Sequence, residues 1–135
     1  MQKLLFIIFL FITVNLSAVE TEEDKRFLER ELGNVAMELN KKVPKMVDKI
    51  TRLEKVVAFR NEVAYQYSII TYSKADFTGK LEGLFDGIKV NYKNKICEEK
   101  SGYFLLEKGA VFKYTFNDKN GDFLSSFQIS IKDCN

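Results

Sequence analysis

Histidine is absent from this 135-residue sequence, and there are only two cysteines and one proline. Without histidine there is no Ser-His-Asp triad, no Cys-His dyad, no His-ligated zinc and no imidazole that titrates near neutral pH. Two cysteines also cannot form a four-cysteine metal site. The net charge is +2, with basic and acidic residues interspersed, so the dense basic surface that binds nucleic acid is missing. We therefore expect no catalytic residues, no cofactor, no metal and no nucleic-acid partner.

The first residues have the three-part layout of a secretory signal peptide. Met1–Lys3 is a short basic start, Leu4–Val14 is apolar, and Asn15–Ala18 ends in a small residue. A helix over the apolar run would span roughly 16 Å, well short of the ~30 Å hydrocarbon core of a membrane. We expect cleavage after Ala18, with an uncleaved anchor as the alternative. Residues 19–135 then form a single periplasmic or secreted domain with no integral membrane span.

Export bears directly on the two cysteines. An oxidising compartment favours a disulfide bond between Cys97 and Cys134, which would stabilise the domain by about 4 kcal/mol in the chain-entropy model. Two buried free thiols are the alternative. The spacing differs from a C-x-x-C motif, which argues against a redox-active pair. Cys97 and Cys134 are the only site residues that the sequence assigns, and their role is structural.

Two segments have the apolar spacing of amphipathic helices. The apolar stripe of the first is Phe27, Leu28, Leu32, Val35, Ala36 and Leu39. This helix should end near Asn40, because Pro44 disfavours helical backbone at the residue before it. The second segment begins at Asp76, a potential N-cap, and its stripe leads to Cys97. A glycine recurs every four residues on another face of it, at Gly79, Gly83 and Gly87. These glycines predict a close approach to a sheet or a partner, or a break in the helix.

Two pairs of segments alternate between apolar and polar residues, as the strands of hairpins do. The first pair is Ile50–Phe59 and Glu62–Tyr72, with one apolar face formed by Val63, Tyr65, Tyr67 and Ile69. The second pair is Ala110–Asn117 and Phe123–Ile131, joined by a turn that contains Asn-Gly. A loop and the short apolar run Tyr103–Leu106 precede it. The order helix, hairpin, helix, hairpin predicts an α+β domain whose helices pack on one face of an antiparallel sheet.

The polar residues do not form a recognisable reactive set. Asp118 to Asp122 resembles the start of a calcium loop, but Phe123 replaces the required glycine and no bidentate glutamate follows, so turn chemistry explains the segment. The adjacent acids Glu98-Glu99 point to different sides, and Ser125-Ser126 have no histidine to activate them. We expect a non-enzymatic protein-binding module. A hydrophobic groove between the second helix and the sheet is a reasonable site for an apolar partner helix.

The C-terminal part follows the pattern of one known family. Its landmarks are Cys97, Gly109, Phe112, Asn117-Asp118 and Cys134, preceded by Asn40 and Pro44 in an Asn-x-x-x-Pro motif. This layout resembles the α/β type of type II secretion pilotin. The resemblance implies a small disulfide-bonded periplasmic protein that binds the C-terminal segment of a secretin subunit and helps to deliver the secretin ring to the outer membrane. Such pilotins are usually lipoproteins, whereas this chain has Ala18 and no cysteine at the expected cleavage site.

Another class of protein has the same outline. A secreted or periplasmic inhibitor or immunity protein that blocks a toxin or a cell-wall hydrolase is also small, exported and closed by a disulfide. An exposed loop with an acidic or aromatic tip would favour that class, and Glu98-Glu99 is the candidate tip. A deep apolar groove would favour the pilotin-like assembly factor. An enzyme, the third possibility, would have to work without histidine.

Overall fold

The computed structural model describes residues 21–135, so the predicted signal peptide, residues 1–18, lies outside the described residues. The helices and strands of this part are α1 (Glu22–Asn40), β1 (Lys45–Met46), β2 (Thr51–Phe59), β3 (Glu62–Ile69), α2 (Leu81–Glu98), α3 (Lys100–Glu107), β4 (Val111–Asn117) and β5 (Phe123–Ile129). Short 3-10 helices at Lys74–Phe77 and Ile131–Cys134 precede α2 and follow β5. The predicted α+β class and both predicted hairpins are confirmed.

The five strands form one sheet in the order β1-β2-β3-β4-β5. Strands β2 and β3 pair antiparallel, as do β4 and β5, in agreement with the two predicted hairpins. The hairpins themselves meet through β3 and β4, which run parallel. Parallel neighbours need a long crossover connection, and α2 and α3 supply it here. The sheet is therefore mostly antiparallel, with one parallel pair at its centre that the sequence did not predict.

The helices cover one face of the sheet, as expected. Helix α1 packs on β2 and β3, while α2 packs on β5 and on the last 3-10 helix. The strand residues that point toward the helices are largely buried: Leu53, Val56, Val63, Tyr67, Ile69, Phe112, Tyr114, Phe116 and Ile129. The opposite face is mostly polar and carries the exposed side chains of Val57 and Phe59. This alternation follows the period of two along each strand.

Asn40 joins the end of α1 to β2, at a part of that strand that the short strand β1 does not cover. Its side-chain amide donates to the Val56 carbonyl at 2.7 Å, and its side-chain oxygen accepts from the Val56 amide at 2.9 Å. Strand β1 pairs with β2 only at Leu53 and Arg52, so Val56 would otherwise present unpaired backbone groups at the sheet edge. The Asn40 side chain therefore provides hydrogen-bond partners for both backbone groups of Val56, and it fixes the position at which α1 crosses the sheet.

Helix α2 begins at Leu81, four residues later than an N-cap at Asp76 would place its start. Asp76 is not its N-cap, because the Asp76 carboxylate accepts from the backbone and the hydroxyl of Ser73 within the preceding 3-10 helix. Gly79 follows with φ of +72°, a left-handed conformation that interrupts the helical path before Leu81. The helix is then unbroken to Glu98. A Cβ added at Gly83 or Gly87 would meet no described atom within 4 Å. No close contact with the sheet therefore requires glycine at these two positions, contrary to the prediction.

Helix α3 occupies a segment that the sequence analysis assigned to a loop and a short apolar run. Its third residue, Gly102, lies against Ile96 of α2. A Cβ added there would come within 2.7 Å of the Ile96 side chain and 3.0 Å of its carbonyl oxygen. Only glycine therefore permits this close approach of α3 to α2. Glycine is a weak helix former, which is why the segment gives no clear helical signal.

The turn between β4 and β5 is organised by the buried carboxylate of Asp118, which is 2% exposed. One oxygen accepts from the backbone amides of Asn120 and Asp122 at 2.8 and 2.9 Å, and the other accepts from the amide of Lys74 at 2.7 Å. The same carboxylate thus shapes the hairpin turn and attaches the segment before α2 to it. The turn interpretation of Asp118 to Asp122 is confirmed.

Replacing Asp118 with asparagine is expected to lower the melting temperature by about 5 °C, because the new NH2 group faces backbone donors. Burial acts to raise the pKa of Asp118, but the backbone N–H donors outweigh it and the pKa is lowered. The ionised carboxylate therefore stabilises the fold above the ordinary aspartate pKa, and this stabilisation is lost as the pH falls through the folded value. Thermal melts at pH 7 and pH 3 should show a smaller difference between the two proteins at pH 3. Asp122→Asn, on an exposed residue of the same turn, is the matched control and should melt like the unmodified protein.

Candidate functional site

Stacked aromatic rings form the centre of the helix-facing side of the sheet. The parallel register of β3 and β4 places Tyr65 opposite Tyr114, and their ring centroids lie 5.1 Å apart. Tyr67 stacks on Phe116 in the same way at 5.0 Å. From α2, Tyr92 packs over Tyr114 at 4.9 Å. The alternation that predicted Tyr65 and Tyr67 on one face is confirmed, but their partners on β4 depend on a parallel pairing that the alternation does not specify.

A cavity of about 390 Å³ opens above these tyrosines, and we call it the tyrosine groove. Val35 of α1 lines it from one side, and Ile96 of α2 and Leu105 of α3 line it from the other. Its remaining lining residues are Val47, Asp48, Tyr65, Tyr67, Tyr92, Lys95, Glu99, Ser101, Gly102, Phe112 and Tyr114. The groove lies between the second helix and the sheet, where the sequence analysis placed one, but its lining is half polar rather than purely hydrophobic.

Two tyrosine hydroxyls in the groove, those of Tyr65 and Tyr114, have no hydrogen-bond partner among the described residues. In the same part of the chain, no fully buried side-chain polar atom lacks a partner. Both hydroxyls must therefore reach solvent inside the groove. Burial, together with the negative charge of Glu99, raises the pKa of Tyr65 to about 12. Burial, with the neighbouring Tyr65 and Tyr92 and the charge of Glu99, also raises the pKa of Tyr114. Both groups remain neutral at physiological pH and can donate or accept a hydrogen bond.

Three charged side chains also line the groove: Asp48 after β1, Lys95 near the end of α2, and Glu99 between α2 and α3. Among the described residues, no ion pair within 4 Å involves any of them. One oxygen of Asp48 accepts from the backbone amides of Ile50 and Thr51, and one oxygen of Glu99 accepts from the Ser101 hydroxyl. The Thr51 hydroxyl also hydrogen-bonds to Asp48, and the bond from Ser101 leaves the second oxygen of Glu99 available to other donors.

An exposed apolar side chain marks one edge of the groove. Val47, on the segment between α1 and β2, lines the groove and is 45% exposed. Exposed apolar surface beside a groove is typical of sites that bind other proteins.

The Cys97–Cys134 disulfide lies next to this site. The two sulfurs are bonded, with 5.5 Å between the Cα atoms, and the bond joins the end of α2 to the last 3-10 helix. Ile96, the residue before Cys97, lines the groove. The disulfide therefore attaches the α2 side of the groove to the C-terminal end of the sheet.

The other polar candidates do not come together. Glu98 is the last residue of α2, and Glu99 is the one residue between α2 and α3, so the pair does not form a protruding loop tip. The Ser126 and Thr115 hydroxyls lie 3.2 Å apart, and both are on the face of the sheet opposite the tyrosine groove. Among residues 21–135, no group of three or more acidic or cysteine side chains is arranged to hold a metal ion.

A second hollow, of about 460 Å³, lies where α1 meets the β2–β3 turn. Its lining is largely charged and includes Glu22, Lys25, Glu29 and Arg60. The tyrosine groove has the apolar walls and the unpartnered hydroxyls that this hollow lacks, and it is therefore the better candidate for a binding site.

Within the part of the chain that the structure describes, no helix is both long and apolar enough to cross a membrane. No protein-family model matches the sequence, and no curated protein matches it. The landmarks that the chain shares with the pilotin pattern can therefore be compared only at the level of structure.

Three solved structures are similar to this one over most of the chain. A protein from Pseudomonas aeruginosa, provisionally described as secreted, has a TM-score of 0.70 at 16% identity, covering 85% of this chain and 99% of its own. EpsS, the pilotin of the Vibrio vulnificus type 2 secretion system, has a TM-score of 0.69 at 17% identity, with 85% and 98% covered. The type II secretion system pilotin AspS from Vibrio cholerae has a TM-score of 0.65 at 17% identity, with 83% and 96% covered. The resemblance predicted from the sequence is thus confirmed at the level of the fold, which this chain shares with type II secretion pilotins.

Proposed function

We propose that this chain is an exported, non-enzymatic binding protein that acts as a pilotin-like assembly factor for a secretion system. The tyrosine groove is its binding site, and the bound partner is an amphipathic helix. The C-terminal segment of a secretin is the partner that the pilotin fold suggests. The periplasm, reached by way of the predicted signal peptide, is the proposed location. The observation that carries the proposal is an open groove, with apolar and polar lining residues, in a fold shared with pilotins.

The dimensions and surroundings of the groove support a helical partner. A cavity of about 390 Å³ has room for a few side chains but not for a folded domain. The exposed side chain of Val47 extends the apolar surface at the edge of the groove, as binding one face of a helix requires. Residues three and four apart on the partner could then occupy the cavity while a neighbouring residue contacts Val47.

The inhibitor or immunity protein remains the alternative, with less support. That function would use a protruding tip, and the candidate acids Glu98 and Glu99 instead lie at the junction of α2 and α3. Glu99 faces the groove rather than a plug-shaped surface.

A site-specific photocrosslinker tests the proposal. Benzoylphenylalanine placed at Val47, on the groove rim, is expected to crosslink the C-terminal segment of a secretin co-expressed from the same genome. The same crosslinker at Phe59 is the matched control, because Phe59 is 69% exposed on the opposite face of the sheet. Mass spectrometry of the crosslinked peptides identifies the partner and the contact.

A secretin crosslink from Val47 but not from Phe59 would support the groove as the binding site. Crosslinking from Phe59 alone would place the partner on the wrong face and overturn the assignment of the site. Recovery of a toxin or a cell-wall hydrolase at Val47 would replace the assembly function with the inhibitor alternative.

A further inference from the structure

We propose that the tyrosine groove recognises a cationic side chain, an arginine on the apolar face of the partner helix, whose guanidinium group lies among Asp48, Glu99 and the tyrosine hydroxyls. This inference rests on the proposed function and adds the chemistry of the residue that is bound. It follows from the charges and the hydrogen-bonding groups inside the groove.

The charge balance of the groove favours a cation. Asp48 and Glu99 contribute two negative charges, and Lys95 contributes one positive charge. Both carboxylates lie near the tyrosine rings. The charge of Glu99 helps to raise the pKa of Tyr65 and Tyr114, and the charge of Asp48 helps to raise the pKa of Tyr92. A partner cation would receive a net attraction in a site partly shielded from water, where charged hydrogen bonds are strongest.

The acceptors needed by a guanidinium are also present. A buried cation is tolerated only when its donors are satisfied, and an arginine has five N–H donors. The carboxylates of Asp48 and Glu99, each with several acceptor sites, and the hydroxyls of Tyr65 and Tyr114 provide acceptors around one cavity.

The walls of the groove suit the remainder of an arginine side chain. Val35, Ile96 and Leu105 can contact its methylene groups, which arginine commonly packs against apolar surface while its charged end reaches polar groups. The planar guanidinium can also stack on a tyrosine ring, as a lysine ammonium cannot. Arginine is therefore favoured over lysine.

The test uses two helical peptides of about 18 residues, long enough to form a helix, built from leucine, alanine and glutamine. One carries arginine at the centre of the apolar face, and the other carries citrulline, its uncharged isostere. Binding to the oxidised, exported protein is measured by NMR titration. The amide of Gly102 reports on the groove, and the amide of Gly121 in the β4–β5 turn is the control.

The arginine peptide is expected to bind roughly fivefold more tightly than the citrulline peptide at low salt, and this preference should shrink as salt is added. Asp48→Asn and Glu99→Gln keep an oxygen that can accept the local hydrogen bonds, so the groove should keep its shape. Because both negative charges are removed, the double variant should bind the two peptides equally. Lys95→Gln removes the competing positive charge and should increase the preference for arginine.

Each outcome separates the two proposals. Equal binding of the two peptides at Gly102 would overturn the cation inference and leave the helix-binding groove standing. A fivefold preference that survives in the double variant would place the cation elsewhere and also overturn the inference. Binding by neither peptide, with no shift at Gly102, would contradict the helix-binding groove itself.

Discussion

Replacing Cys97 and Cys134 with alanine is expected to lower the free energy of unfolding by about 4 kcal/mol, from the loop-closure entropy that the disulfide removes from the unfolded chain. The bond joins residues 37 positions apart, and its loop includes α3, β4 and β5. A loss of this size is a large part of the stability of a domain of this length, and it corresponds to a fall of about 15 °C or more in melting temperature. Urea unfolding of the variant beside the oxidised parent measures the loss.

Reduction of the parent protein is the control for this double substitution. A reduced parent that unfolds at the same urea concentration as the alanine variant would assign the loss to the covalent bond. A variant less than about 1 kcal/mol weaker than the oxidised parent would show that packing alone holds α2 beside the C-terminal segment.

Phe116→Ala is expected to lower the free energy of unfolding by about 3–5 kcal/mol, because a large ring is lost and the surrounding residues can close the cavity only in part. The Phe116 side chain is 1% exposed. Its ring lies 5.0 Å from Tyr67, 5.1 Å from Phe85 and 5.9 Å from Phe127, so it contacts both hairpins and helix α2. Chemical denaturation measures the effect.

The matched control is Phe123→Ala in the next strand. Phe123 is 55% exposed, and its replacement should change the stability by no more than about 0.5 kcal/mol. Equal losses at the two positions would show that the aromatic cluster is not the centre of the core. A small loss at Phe116 would mean that neighbouring side chains refill its space.

The local elements of this fold were largely predictable from the sequence, because their signals are local. The end of α1 near Asn40, the turn before Glu62 and the Asn-Gly turn before β5 each depend on a few adjacent residues. The disulfide was predictable because only two cysteines are present, and an exported chain favours pairing them.

The remaining features depend on contacts between distant segments. The parallel pairing of β3 and β4 is set by where the crossover returns, and no residue of either strand encodes it. Helix α3 is stabilised by the fit of Gly102 against Ile96, which a propensity argument counts as unfavourable. The groove has the same origin: Asp48, Lys95 and Glu99 look like ordinary surface charges until the fold places them around the tyrosines.

The parallel pair at the centre of the sheet also has a consequence for how the protein folds. Each hairpin has low contact order, because a short turn brings its strands together and little loop entropy is lost. The two hairpins cannot join until α2 and α3 have carried the chain back across the sheet. Docking of the hairpins is therefore expected to limit the folding rate, and until that step the tyrosines of β3 and the aromatic residues of β4 are exposed to water and to other chains. Because the paired strands β3 and β4 form the base of the proposed binding groove, the protein can bind its partner only after this last step.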